Sequence, residues 1–404
     1  MQILKGIKVL SFTHFLQGPS AVQMLSDIGA DVIKIEQTKG AYERFWSGFN
    51  AYQNNVSVFF LLANRNQKSL AIDLRNNEAK EVIIDLVKEV DVIVENFRPG
   101  AMKRLGLDYE SLKEINPKLI YCSCTGYGSG GPYESKPGQD LLLQSLSGLM
   151  TLSGKDSAPP TPVGTAVVDQ HGAVLAAFGI VAALFNREKT GEGCKVEGSL
   201  LNSALDLQIE PLTYFLNKGK LWSRSETGLA SRFHQAPYGT YKTKDRYITL
   251  SNTPVEKLAE ILNSKELAQY ESSDQMSDKR FEIDRIFSEI IKTKNYDDWV
   301  KLFEEHNIWF APVNSYEDVV KDSQVQWSGM LTTYNHPQAG EIKLLNHPIK
   351  YNDKTVEQRM HQPAIGEHSV EILKTQGYSE RKIKEFIDKG IIANDGWERS
   401  SPQP

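Results

Sequence analysis

Along the first half of the chain, short apolar runs alternate with stretches of helical period. Residues 7–11, IKVLS, predict a strand. GPSAVQMLSDIGA then carries helical spacing, and DVIKIE at 31–36 predicts a second strand. SLAIDL at 69–74, DVIVE at 91–95 and KLIYCSC at 118–124 predict three more. Between them, NEAKEVIIDLVKEV at 77–90 sets Val82, Leu86 and Val87 on one stripe with charges opposite. Strands that are apolar throughout and separated by helices point to a parallel sheet covered on both faces. The expected fold class is therefore α/β, with a doubly wound sheet. The most apolar stretch, AVLAAFGIVAALF from Ala173 to Phe185, is too short to span a bilayer and reads as a buried core helix.

The pattern changes after about residue 215. KGKLWSRSETGLASR at 218–232 is polar and reads as a linker. GTYKTKDRYITL at 239–250 reads as two strands around a Lys-Asp turn, and a charged, mostly helical stretch follows to about 305. This predicts a second, smaller α+β domain, and 404 residues at about 150 per domain suit two domains. EHSVEILKTQ and SERKIKEFIDKG read as amphipathic helices, and NDGWERSSPQP as a tail.

Hydrophobic residues make up 40% of the chain and charged residues 24%, which argues against disorder. The net charge of −5 leaves no global basic field, so no nucleic-acid partner is expected, and an anionic ligand must be met by a local Lys/Arg cluster. Three cysteines are too few for a disulfide framework. Cys122 and Cys124 share one face of a strand and read as small core residues; no metal is expected. The N-terminal MQILKGIKVLSF lacks the pattern of a secretory signal. The expected location is cytoplasmic, with no membrane partner.

Four segments carry candidate chemistry. GYGSGGP at 126–132 follows a strand, and its glycines would let backbone N–H groups approach an anion; otherwise it is a turn-rich loop. It is neither a GxGxxG opening a helix nor a P-loop, which speaks against a nicotinamide dehydrogenase or a plain nucleotide-binding protein. ENFRPGAMKRLG at 95–106 clusters Arg98, Lys103 and Arg104 where a short helix begins near Pro99. These would suit phosphates or form a solvated basic helix, and Lys68, Arg75 and Lys136 could add charge at the same sheet edge. Asp169 in VGTAVVDQHG precedes the apolar helix expected from about Gly172. It reads either as an N-cap or as a carboxylate kept ionised at a helix N-terminus and able to act as a nucleophile. Asp140 in KPGQDLLLQ likewise precedes a helical run. His14 and Gln17, in the loop after the first strand, could face a ligand.

Taken in this order, LKGIKVLSFTHFLQGPSAVQMLSDIGADVIKIE, KSLAIDL, ENFRPGAMKRLG, INPKLIYCSCTGYGSGGP, KPGQD and PVGTAVVDQHGAVLAAFGIVAALFNREKTGEGCKVEGSL resemble the class III CoA-transferases. That family includes formyl-CoA and carnitine-CoA transferases and related α-methylacyl-CoA racemases. The resemblance implies a Rossmann-like large domain with a smaller α+β domain, in an interlocked homodimer. Residues 1–217 would begin the large domain, 218–325 would supply the linker and small domain, and 326–404 would return to the large domain. It implies transfer of CoA from an acyl-CoA to a small carboxylic acid, with coenzyme A as substrate and no permanently bound cofactor. The family's nucleophile falls on Asp169, passing through a mixed anhydride and an aspartyl-CoA thioester. Its CoA-contacting positions fall on Leu16, Gln17, Ile72, Asp73, Leu74, Arg75, Asn96, Phe97, Arg98, Arg104, Lys136, Pro137, Gly138 and Gln139. His14 and Asp140 are further substrate candidates. The basic residue that formyl-CoA transferases place after the IKIE strand is Gln37 here, their first-loop Gln is Leu16, and their poly-glycine loop is missing from SETGLASRFHQAPYGTY. The alternative activity is racemisation with Asp140 and Asp169. The racemases' His, however, is replaced by Gln139, which cannot abstract an α-proton.

Overall fold

The computed structural model describes residues 2–270, 278–394 and 396–397; the expected tail lies, from residue 398, outside them. The chain divides into two compact units, Met1–Leu143 with Ala166–Ser203 and Ser323–Pro404, and Gln144–Thr165 with Ala204–Asp322.

Among the described residues the first unit is built on a seven-stranded sheet: β1 (Lys8–Phe12), β2 (Asp31–Glu36), β3 (Gln67–Ile72), β4 (Val92–Glu95), β5 (Ile120–Thr125), β6 (Lys195–Ser199) and β7 (Ile392–Ala393). The spatial order is β7-β3-β2-β1-β4-β5-β6. All pairings are parallel except that of β7 with β3. The order 3-2-1-4-5-6 is that of a doubly wound Rossmann sheet, whose strand order reverses between β1 and β4; ligands of such sheets bind at the carboxyl ends of the strands there.

The period of two decides which helices cover which face. Val9, Val92, Val94, Ile120, Cys122 and Cys124 point to one side, where they pack with α1 (Gln17–Asp27) and α4 (Val167–Thr190). Leu10, Phe12, Ile93 and Tyr121 point to the other. There α2 (Asn77–Val87), α5 (Ser369–Thr375) and α6 (Glu380–Asp388) supply Val82, Leu86, Leu373 and Phe386. Burying each such apolar side chain contributes about 1.5–3 kcal/mol. The two cysteines are thus core residues, opposite Ala173 and Ala176 of α4, where small side chains let helix and sheet approach. The remaining helix near the site, α3, spans Asp140–Leu146.

The apolar run 173–185 departs from expectation. Polar and apolar flanks extend it to the 24 residues of α4, closed by Gly191 in the left-handed conformation (φ 75°). By length and composition alone α4 could cross a membrane, with a mean hydropathy of 1.6. It is not wholly buried. Gly172, Ala173, Ala176 and Ile180 face the sheet, while Val174, Phe178, Val181 and Phe185 form an exposed stripe, with Phe178 at 70% exposure.

In the second unit, Gly239–Lys242, Tyr247–Ser251 and Trp309–Pro312 form an antiparallel sheet, with the expected hairpin between the first two. Tyr241, Ile248, Phe287, Trp299 and Phe303 make its core with helices Arg280–Ile291 and Tyr296–Glu305. This unit takes in 144–165 and 204–217, which the sequence reading assigns to the large domain. The reason is side-chain bonding over long range: Arg224 donates to the carbonyls of Ser153 and Ala158, Gln208 to that of Ser147, and Glu226 accepts from Ser157.

Candidate active site

The loop after β1 is held from three sides. Asn96, just past β4, accepts from the His14 N–H at 3.0 Å and donates to its carbonyl at 2.8 Å. The His14 ring stacks on Phe97 with centroids 5.4 Å apart. Beneath, the fully buried Lys34 donates to the Thr13 carbonyl at 2.8 Å and to Glu43 at 3.1 Å. Phe15 then turns through φ 62°, and α1 begins at Gln17. Burial holds the His14 imidazole below its ordinary pKa, with Glu43 opposing and Lys34 adding to that shift, so the ring is neutral at pH 7. A lysine inside the apolar DVIKIE strand is the signal that could have exposed this clamp.

The loop after β5 is positioned by two glycines. A Cβ on Gly126 would lie 2.7 Å from the Cα of Gly138, and one on Gly138 would lie 2.4 Å from the Cα of Gly126. No other residue type allows the two backbones to touch this closely. The contact fixes the segment that leads into Asp140.

Asp140 reaches across to α4. Its Oδ2 accepts from the backbone N–H of Val168 at 2.7 Å and of Asp169 at 3.0 Å. The capping role expected of Asp169 is therefore filled by a residue on another helix. Helix α4 begins at Val167 rather than near Gly172, its N-cap is Ala166, and Asp169 sits inside the first turn. The expectation that this position keeps Asp169 ionised is also corrected. The carboxyl is partly buried, and burial, reinforced by the Asp140 charge, pushes its pKa up to about 7. Two carboxylates thus share one helix start: one spent on backbone N–H groups, the other poised near neutrality.

The remaining sequence candidates spread along the carboxyl edge of the sheet. Leu16 and Gln17 are buried where α1 begins. Ile72 is 1% exposed and offers a ligand only its main chain, and Leu74 packs on the core. Asp73 and the exposed Arg75 pair with each other at 2.8 Å. Arg98 and Arg104 are exposed, with Arg104 Nη1 lying over Gly100. Lys136, Pro137, Gly138 and Gln139 are exposed, and the Lys136 ammonium sits 3.7 Å from the Tyr133 ring centroid. The structure brings His14, Asn96 and Phe97 into one cluster, and Asp140 and Asp169 into another. Lys68 does not join them. It lies at the amino end of β3, paired with Glu371 at 2.6 Å, because the strand carries the chain across the sheet before Arg75 is reached. A cavity of about 300 Å³ opens at that same end, lined by Lys8, Asp31, Lys68, Leu86, Arg359 and Ile372.

The arrangement suits covalent chemistry at a carboxylate with anions held along the sheet edge. Comparison with known proteins gives the family. The family model for CoA-transferase family III matches residues 4–369. The mouse succinyl-CoA:glutarate CoA-transferase is 32% identical, over 97% of this chain and 91% of the mouse protein. A formyl-CoA:oxalate CoA-transferase of Streptomyces coelicolor is 29% identical, over 96% of this chain and 99% of its own length. Among solved structures, a CAIB/BAIF family protein from Brucella suis superposes with a TM-score of 0.79 at 31% identity, covering 93% of this chain and 99% of that one.

Proposed function

This chain belongs to CoA-transferase family III, and we propose that it moves CoA between acids through covalent intermediates on Asp169. The observation that carries the reading is the position of this carboxylate. It lies in the first turn of α4, relieved of capping duty by Asp140, with its pKa raised to about 7. A desolvated carboxylate is a stronger nucleophile than a solvated one of ordinary pKa, and half of it is ionised at neutral pH.

The steps balance without ATP. An Asp169 oxygen attacks the donor thioester carbonyl, the C–S bond breaks, and CoA thiolate leaves a mixed anhydride. The thiolate attacks the aspartyl carbonyl, the donor acid departs as a carboxylate, and an aspartyl-CoA thioester remains. The acceptor carboxylate attacks that thioester and expels the thiolate, which then takes the acceptor acyl group and frees Asp169. Arg98, Arg104 and Lys136 are assigned to the CoA phosphates, with main-chain groups from Leu16 to Gln17, Ile72 to Arg75, and Pro137 to Gln139 along its length. The relatives' names supply the substrate class to try first: short mono- and dicarboxylic acids, with succinyl-CoA and glutarate as the opening pair.

We also propose a homodimer in which the stripe Val174, Phe178, Val181 and Phe185 of α4 is covered, since an apolar stripe of this length is unusual on a lone chain. One observation favours a second reading: a carboxyl of pKa about 7 also suits proton transfer, as in racemisation. Deuterium entering the α-carbon of a 2-methylacyl-CoA would support it. The deciding experiment is a trap. The protein is incubated with short acyl-CoAs and hydroxylamine, digested, and searched by mass spectrometry for a hydroxamate at Asp169, with Asp169→Ala as control. A hydroxamate confined to Asp169 supports the covalent route, and an unmodified peptide with every donor refutes it.

A further inference from the structure

One polar side chain packed against α4 has no task in the scheme above. Gln17 opens α1 and is 5% exposed, and its Nε2 is closed off from solvent with no hydrogen-bond partner among the described residues. Leaving a buried donor unmade costs about 1–3 kcal/mol, so such a group calls for a reason.

Its surroundings supply one. The amide fills the notch left by a missing side chain: a Cβ on Gly172 would stand 2.7 Å from Gln17 Nε2 and 3.4 Å from its Cδ. Gly172 follows Asp169 by one turn of α4. Cα–Cβ bonds in a helix tilt toward its N-terminus, so whatever fills the notch at Gly172 lies over the turn that carries Asp169. The groups that act on the Asp169 carboxyl are burial and the Asp140 charge, with no cation among them. A neutral donor beside that carboxyl is suited to receive an acid that approaches as an anion. This suits the chemistry, because a guanidinium clamped on the attacking carboxylate would quench its nucleophilicity, whereas an amide N–H can orient it and leave its charge largely intact.

We propose that Gln17 Nε2 donates a hydrogen bond to the carboxylate of the incoming acid, with Gly172 as the positioning residue whose missing side chain makes room for the amide. This rests on the Asp169 reading. The N–H proton stays on Gln17 throughout: one carboxylate oxygen is held while the other attacks the aspartyl-CoA carbonyl and the C–S bond breaks. The role differs from the CoA contact that the family resemblance implies for this position.

The test separates acid from CoA. Gln17→Met keeps length and removes the donor, and it relieves a buried unmade N–H, so its melting temperature should equal or exceed that of the unaltered protein. With succinyl-CoA as donor, or whichever short acyl-CoA labels Asp169, the KM of the acid acceptor should rise about tenfold or more, the loss of one hydrogen bond to a charged group. Binding of free CoA by titration calorimetry should stay within twofold. Gln17→Glu, of the same shape but anionic, should raise the acid KM further, and Gly172→Ala should mimic Gln17→Met by displacing the amide. An unchanged acid KM in a Gln17→Met protein that still labels at Asp169 overturns the proposal, as does weakened CoA binding with the acid KM intact. If the unaltered protein labels with no donor, the Asp169 reading fails first, and that outcome is distinct from both.

Discussion

The raised pKa of Asp169 makes a prediction about stability as well as activity. A carboxyl at about 7 in the folded chain and 3.8 unfolded binds its proton more tightly when folded. Its favourable contribution is complete below the unfolded pKa and is lost as pH rises through the folded one. Replacement by Asn, which does not titrate, removes this loss, and comparing the two proteins cancels every other titrating group. The full difference is about 3 pK units, or about 4 kcal/mol, of which roughly 2.5 kcal/mol falls between pH 5 and pH 8. With an unfolding entropy of about 2 cal/mol/K per residue over the whole chain, that is roughly 3 °C. Calorimetric melting at pH 5, 6, 7, 8 and 9 should therefore show Asp169→Asn gaining on the unaltered protein by about this much up to pH 8 and levelling off beyond. The same group should set the acid limb of kcat/KM, which should rise roughly fiftyfold from pH 5 to pH 7. A melting difference that is flat with pH, together with an acid limb near 4, would refute the argument that burial and Asp140 govern this carboxyl.

Asp140→Asn should move the acid limb to lower pH, because the neighbouring negative charge is gone while an oxygen remains for the Val168 and Asp169 N–H groups. Asp140→Ala should in addition destabilise by about 1–2 kcal/mol, the loss of a helix cap, seen in denaturant titration. Gly138→Ala places a methyl 2.4 Å from the Gly126 Cα and should lower kcat at least tenfold by spreading the two loops, with a circular dichroism spectrum that stays unchanged. Lys34→Met leaves Glu43 buried without its cation and should destabilise by about 3–5 kcal/mol. Phe178→Glu combined with Phe185→Glu should yield a monomer in light scattering, and a dimer that survives both changes rules out this face of α4.

The period-two and period-3.6 patterns sufficed to find β1 to β5, the helices between them and the parallel character of the sheet, because those patterns depend on residues two to four positions apart; β6 and β7 were not read from them. The same local reading placed the interesting loops at the carboxyl ends of strands and singled out Asp140 and Asp169. It went astray wherever the deciding neighbour lay far along the chain. Asp169 could be read as a cap because it stood before an apolar run, but the cap comes from Asp140, 29 positions away. It read as ionised because a helix N-terminus favours an anion, but burial and a second carboxylate outweigh that field. Lys68 and Arg75 read as one charged edge although a strand separates them end to end. The crossing of Gly126 with Gly138 and the lodging of Gln17 against Gly172 leave no periodic trace at all. The sequence by itself determined five strands of the main sheet and the helices between them, and it offered the candidate residues, because local propensity and alternation are written in near neighbours. Only the tertiary structure decided which carboxylate is consumed by the backbone, which is left near neutral pKa, and which amide is buried against α4 without a partner among the described residues, because desolvation and hydrogen-bond partnership arise between segments that meet only in the folded chain.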